Sequence, residues 1–255
     1  MRNIMIEVEY DGTNYSGWQI QTNARTVQEQ ITKAIKLVLK EDVKMNASGR
    51  TDAGVHAKGQ TANFFLEGSI PTNRIANAIN SFLDTDITIL NAREVPMNFH
   101  ARYSAESKKY LYRIYNSPTR SSLHRNYSYH VTHKLNLAHM ELASKQLIGT
   151  HDFRAFMSNK SSVTNTVRTI YSINFDKSNN NISVSFHGNG FLYNMVRIII
   201  GTLVQIGSGK RPIDDLKRIL ESKDRRNAGH TAAPQGLFLE KVYYPLDTRG
   251  TMYYN

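Results

Sequence analysis

Along this chain the spacing of apolar positions switches repeatedly between two and about 3.6 residues, the mark of strands alternating with helices. Residues 3–9 read as a strand that stops at Tyr10-Asp11-Gly12. Thr26 and Glu29 have capping-box spacing, in which a hydroxyl and a carboxylate each satisfy an orphan backbone N–H. The helix they open carries Val27, Ile31, Ala34, Ile35, Val38 and Leu39 on one stripe. Weak strand text at 43–47 and a clear strand at 61–66 flank a turn, and Pro71 opens a second helix with Ile75, Ile79, Phe82 and Leu83 on one face. A strand at 87–94 follows.

The pattern then resumes with strands at 109–115 and 127–131 and a helix at 137–147. Tyr171, Ile173 and Phe175 alternate on one arm of a hairpin and Ile182, Val184 and Phe186 on the other, around Ser178-Asn179-Asn180-Asn181. An apolar helix at 192–206, a short helix opened by Pro212 and a strand at 237–244 complete the series. Residues 1–103 and 104–255 mix strands and helices in similar order, which predicts an α+β protein of two similar halves around a central cleft. There is no residue-level repeat.

Charge narrows the partner. A net charge of +11 and a pI near 9.7 point to a polyanion, nucleic acid being the commonest. Fourteen tyrosines and ten phenylalanines supply both core and base-stacking surface. The chain has no cysteine, which removes disulfides, thiolate metal sites and thiol nucleophiles. Its nine histidines show no metal-binding spacing, so no protein-built metal site is expected. The longest apolar run, 191–206, is short for a bilayer and holds Asn194, Arg197 and Gln205; with no signal peptide, a soluble cytoplasmic protein is expected.

Two local features carry chemistry. In Gly49-Arg50-Thr51-Asp52-Ala53-Gly54-Val55-His56-Ala57 a single carboxylate lies between a cation and an imidazole on a turn bracketed by glycines. Arg197 is the only charged residue between Ser178 and Gly209. A guanidinium in so apolar a helix calls for an anionic or carbonyl partner, and Asp52 is the candidate. The pairing would keep the carboxylate ionised against desolvation.

Together with Tyr10-Asp11-Gly12-Thr13, Gly17-Trp18-Gln19, Thr26-Val27-Gln28, Phe99-His100-Ala101-Arg102, Lys109-Tyr110-Leu111-Tyr112-Arg113-Ile114, His151-Asp152-Phe153, Thr166-Val167-Arg168-Thr169-Ile170, Gly190-Phe191-Leu192-Tyr193-Asn194-Met195-Val196-Arg197 and Gly236-Leu237, these stretches resemble the TruA family of tRNA pseudouridine synthases from Tyr10 to Pro245. The resemblance implies the pseudouridine synthase fold, a mixed and mostly antiparallel sheet with flanking helices, working as a homodimer without cofactor or required metal. It implies isomerisation of uridines at positions 38 to 40 in the anticodon arm of tRNA, an RNA rather than a DNA partner. By the same resemblance Asp52 is the catalytic aspartate, Arg50 the arginine that enters the RNA, Tyr110 the tyrosine that stacks on uracil, and Arg197 the cation paired with the aspartate. The family's usual Thr-Ala-Pro-Ala is here Thr231-Ala232-Ala233-Pro234, and Tyr15 stands where Phe is common.

Lys58, Arg102, Lys108, Lys109, Arg154 and Arg168 are candidate backbone contacts, and His151 and Phe153 candidate RNA contacts on one loop. Two other readings compete with the enzyme. One is an RNA-binding or tRNA-folding module that needs no Asp52. The other is a phosphate-handling enzyme using the glycine turn as an anion nest.

Overall fold

A computed structural model of the chain describes residues 1–159 and 163–245. In chain order the first half of these residues forms β1 (Arg2–Tyr10), α1 (Val27–Leu39), β2 (Asn46–Ala47), β3 (His56–Leu66), α2 (Thr72–Asn80), β4 (Ile87–Val95) and β5 (Ser107–Asn116). Then come β6 (Tyr129–Val131), α3 (Leu137–Ser144), β7 (Gly149–Asp152), β8 (Val167–Ser178), β9 (Asn181–Gly188), α4 (Met195–Gly207), α5 (Asp215–Ser222) and β10 (Leu237–Tyr243). The protein is of the α+β class. Two compact units divide it: Met1–Lys108 with the segment returning at Phe238, and Lys109–Leu237. Among the described residues no helix is long and apolar enough to cross a membrane.

In the first unit β1 pairs antiparallel with both β3 and β4, β2 pairs antiparallel with β3, and β10 runs parallel to β3. Central strands are covered on both faces, so β1 buries Ile4, Met5, Ile6 and Val8 in succession instead of alternating. A buried amide, Asn3, sits among them and is fully satisfied. It donates to the Pro96 and Phe99 carbonyls at 3.0 Å each and accepts from Asn63 Nδ2 at 2.9 Å. Asn63 Oδ1 in turn accepts from the Ala101 N–H at 2.9 Å, and Tyr244 Oη donates to the Ala101 carbonyl at 2.7 Å. This network holds the segment from Phe99 to Ala101 on the sheet, because any broken link would strand a buried polar group.

Thr26 is the N-cap of α1, as its position predicts, but its hydroxyl makes no cap hydrogen bond and is buried without a partner. The other half of the capping box holds: Glu29 accepts from the Thr26 backbone N–H, and its carboxylate reaches Lys33 Nζ at 2.6 Å. α2 ends at Asn80, so Phe82 and Leu83 lie beyond the helix and Phe82 is exposed. Pro71 sits at its N-cap.

In the second unit β8 joins β7 and β9 antiparallel, and β6 runs parallel to β5. The hairpin turns at Asn179-Asn180, where Asn179 takes the left-handed φ of 53° that asparagine tolerates. Ile182, Val184 and Phe186 face the core as predicted. The partner arm differs: a register shift between Ile170 and Ser172 turns Tyr171 outward and buries Ile170 in its place, as an extra bulge residue reverses a two-residue period. α4 is the unit's core helix, with Ile198, Ile199, Ile200 and Leu203 fully buried. Truncating Ile200 to Ala is expected to cost about 2–5 kcal/mol, through lost burial and the cavity left behind. A urea unfolding midpoint unchanged from wild type would contradict that placement.

Candidate active site

Asp52 begins a tight turn. Its carbonyl accepts the Val55 N–H at 3.1 Å, and Gly54 takes φ +75°, a conformation that disfavours any side chain. Of the two bracketing glycines only Gly54 has positive φ; a Cβ on Gly49 would lie 3.1 Å from Lys108 Nζ, the end of a flexible side chain.

The turn is clamped by the chain that follows β1. Tyr15 and Trp18 reach it by backbone: the Gly54 N–H donates to the Tyr15 carbonyl at 3.2 Å, and the Trp18 N–H to the Thr51 carbonyl at 3.2 Å. Gly17, with φ +90°, would put a Cβ 2.5 Å from the Thr51 oxygen, and a Cβ on Gly12 would overlap the Val55 carbonyl. Tyr10 Oη and Thr51 Oγ1 share a buried hydrogen bond of 2.8 Å. Next along β3, buried His56 stacks on Phe238 with centroids 4.7 Å apart. Its Nδ1 accepts the Gly12 N–H at 3.0 Å and lies 3.1 Å from Asp11 Oδ1. The Asp52 backbone is therefore held from several sides, with its side chain half-buried. Tyr15 Oη donates to Asp86 at 2.6 Å; burial and that carboxylate hold its phenol well above the usual tyrosine range.

Arg50 is exposed and makes no hydrogen bond or ion pair among the described residues. Lys58 lies 3.8 Å from Glu240 across β3 and β10. Lys108 donates to the Ser48 carbonyl at 2.6 Å. Arg102 is exposed, 5.7 Å from the ring of exposed Tyr103.

The second unit positions the remaining candidates. Tyr110 on β5 is half-buried, its ring edge-on to Phe191 at 5.0 Å. Arg197 is half-buried rather than enclosed. Its Nε donates to the Ala232 carbonyl at 2.8 Å and its Nη1 to Asn194 Oδ1 at 2.9 Å, while the Ala232 N–H returns a bond to the Arg197 carbonyl at 3.0 Å. Asn194 caps α4 with φ 61°. Tyr112 was not singled out from sequence. It is fully buried, donates to the Ala233 carbonyl at 2.7 Å, and burial drives its phenol pKa well up although the Arg197 charge opposes this.

His151 is half-buried, with Nε2 3.1 Å from the Ile148 carbonyl. Phe153 has no exposed surface and packs near His151 and Phe156, so it supports this loop from beneath and does not meet RNA itself. Arg168 donates to the Asn165 and Val167 carbonyls, has no carboxylate partner among the described residues, and is pulled below the usual arginine pKa by burial.

The sequence signature described as tRNA pseudouridine synthase matches residues 6–104 and 143–245. The chain belongs to the tRNA pseudouridine synthase family. It is 51% identical over 244 residues to a tRNA pseudouridine synthase A from Thermoanaerobacter sp. (strain X514), covering 96% of this chain and 100% of that one. A tRNA pseudouridine synthase A from Ruminiclostridium cellulolyticum is 51% identical over 245 residues, with the same coverage. Among solved structures, a chain of a Cbf5-Nop10-Gar1 complex is similar at a TM-score of 0.39 and 12% identity, over 79% of this chain and 54% of that one. The chain thus spans about half the length of that structural neighbour.

Two consequences are open to measurement. Gly17→Ala forces a left-handed alanine against the Thr51 carbonyl, and is expected to cost about 2 kcal/mol or more in urea unfolding. Asp152 is raised by burial but pulled further down by the Thr166 hydroxyl, the Arg154 N–H and Lys223, for a net lowering. A carboxylate lowered on folding stabilises above its unfolded pKa of about 3.9 and loses that contribution as acid titrates it in the folded state. The stability gap between wild type and Asp152→Asn should therefore be full at neutral pH and close in acid; a gap that widens in acid would refute the assignment.

Proposed function

We propose that the protein isomerises uridine to pseudouridine in tRNA, at positions 38 to 40 of the anticodon arm, with Asp52 as nucleophile. The observation that carries this is the clamped turn: a family member with no cysteine fixes one carboxylate's backbone from several sides. The reaction is redox-neutral. It breaks the N1–C1′ bond, turns the base and joins C5 to C1′, after which C5 gives up its proton. An ionised Asp52 oxygen supplies the electron pair, to the uracil ring or to the sugar, and is released when the C–C product forms.

A uridine inside a stem must first be unstacked, at a cost of a few kcal/mol. Exposed Arg50 enters the vacated space and repays part of that cost. Tyr110 stacks on the uracil, the edge of Phe191 setting its ring plane. Arg197, its orientation fixed by Ala232 and Asn194, is the candidate cation for the reaction. The likeness to whole tRNA pseudouridine synthase A chains supports the tRNA substrate; a homodimer at work in the cytoplasm is part of the same proposal.

Asp52→Asn is expected to lower tritium release from C5-labelled uridine in tRNA by on the order of 10⁴ or more, while tRNA binding persists. Circular dichroism of the same sample checks folding, and turnover by a folded Asn variant ends the nucleophile assignment.

A further inference from the structure

A groove of about 780 Å³ opens within the second unit, lined by Arg154, Thr166, Lys223, Asp224, Arg225 and Arg226 among others. α5 ends with Lys223 in the left-handed conformation, φ 52°, and Asp224 then caps a short turn by accepting the Arg226 N–H at 2.9 Å. Lys223, Arg225 and Arg226 after that reversal, and Arg154 on the turn after β7, all line the groove.

The acids here are already committed. Asp224 is held by the Arg226 guanidinium at 2.6 Å. Asp152 accepts from the Thr166 hydroxyl at 2.6 Å and the Arg154 N–H at 3.1 Å, and lies 3.4 Å from Lys223 Nζ. Arg154 and Arg225 are left with no carboxylate among the described residues. Arg225 reaches only the Ala228 carbonyl at 3.4 Å and the Thr231 hydroxyl at 3.3 Å, and its partial burial lowers its pKa. A half-desolvated guanidinium with weak neutral partners is stabilised by an incoming anion.

The shape selects the anion. The groove is several times larger than one phosphate, so it accommodates a run of strand. Its apolar lining is Met157 and Val163 with no aromatic side chain, which offers a base nothing to stack on. Charge without a stacking platform reads a backbone and not bases.

We propose that this groove is a second RNA contact, in which Arg154 and Arg225 hold phosphodiester oxygens of the tRNA strand. This rests on the tRNA reading above, and the two can fail separately. Binding of labelled full-length tRNA is measured against salt for wild type, Arg154→Gln, Arg225→Gln and the double variant, with thermal melts beside them. Each single change is expected to weaken binding about tenfold, the loss of one charge-assisted contact. Each should also flatten the slope of log affinity against log salt by about one.

Arg154 is exposed, so Arg154→Gln decides the matter even if Arg225→Gln, next to Thr231, does not fold. Unchanged affinity and slope in a folded Arg154→Gln protein overturn the proposal. Arg154-dependent binding of inorganic phosphate with unaltered tRNA binding assigns a small-anion site and overturns it too. Pseudouridine formation by wild type is followed in the same tRNA: its absence removes the proposed activity, while the binding slopes still decide the groove.

Discussion

The Asp52 turn depends on backbone touching backbone. The chain from Tyr10 to Trp18 passes so close to residues 51–55 that Gly12 and Gly17 have no room for a methyl group, and two backbone hydrogen bonds between the segments replace what side chains would do elsewhere. Such a contact is stiffer than one between side chains, which keep rotamer freedom. On the proposed reading, in which Asp52 meets a flipped base, that stiffness is a gain, because lost positional freedom is settled on folding and not at each turnover.

The second unit solves a similar problem differently. Arg197, Tyr112 and Arg225 all bond to one segment, residues 228–233, and Tyr129 Oη sits 3.1 Å from His230 Nε2. Gly201 permits α4 to lie against the His230 carbonyl, where a Cβ would overlap it. The segment that departs from the family's usual text is thus the one that orients the guanidinium. The changed order is accommodated at Ala232 and Ala233 because the bonds there run to carbonyls and a backbone N–H, which every residue type but proline supplies.

What was legible in the site followed from composition and local order. Asp52 and Arg197 stand out as charges in settings that explain them poorly, whereas the role given to Arg50 comes from the family resemblance. Phe153 was misplaced for the opposite reason: an aromatic beside a histidine on a loop reads the same whether it faces solvent or core. Tyr112 went unnoticed because a strand tyrosine has no distinguishing text; its burial and its bond to Ala233 belong to residues more than a hundred positions apart. The basic groove was also invisible, since Arg154 and Arg225, far apart in sequence, come to line it only in the folded chain.

By itself the amino-acid order determined the element types, the hairpin at Asn179-Asn180, the apolar helix, the absence of thiol chemistry and the family. Those are properties of short-range spacing and of side-chain inventory. Tertiary structure alone decided which half of the capping box forms, that a bulge turns Tyr171 outward, and which charges are already spent on neighbours. Each of these is settled by competition among distant groups for the same hydrogen bond or the same volume, and a linear pattern carries no record of that competition.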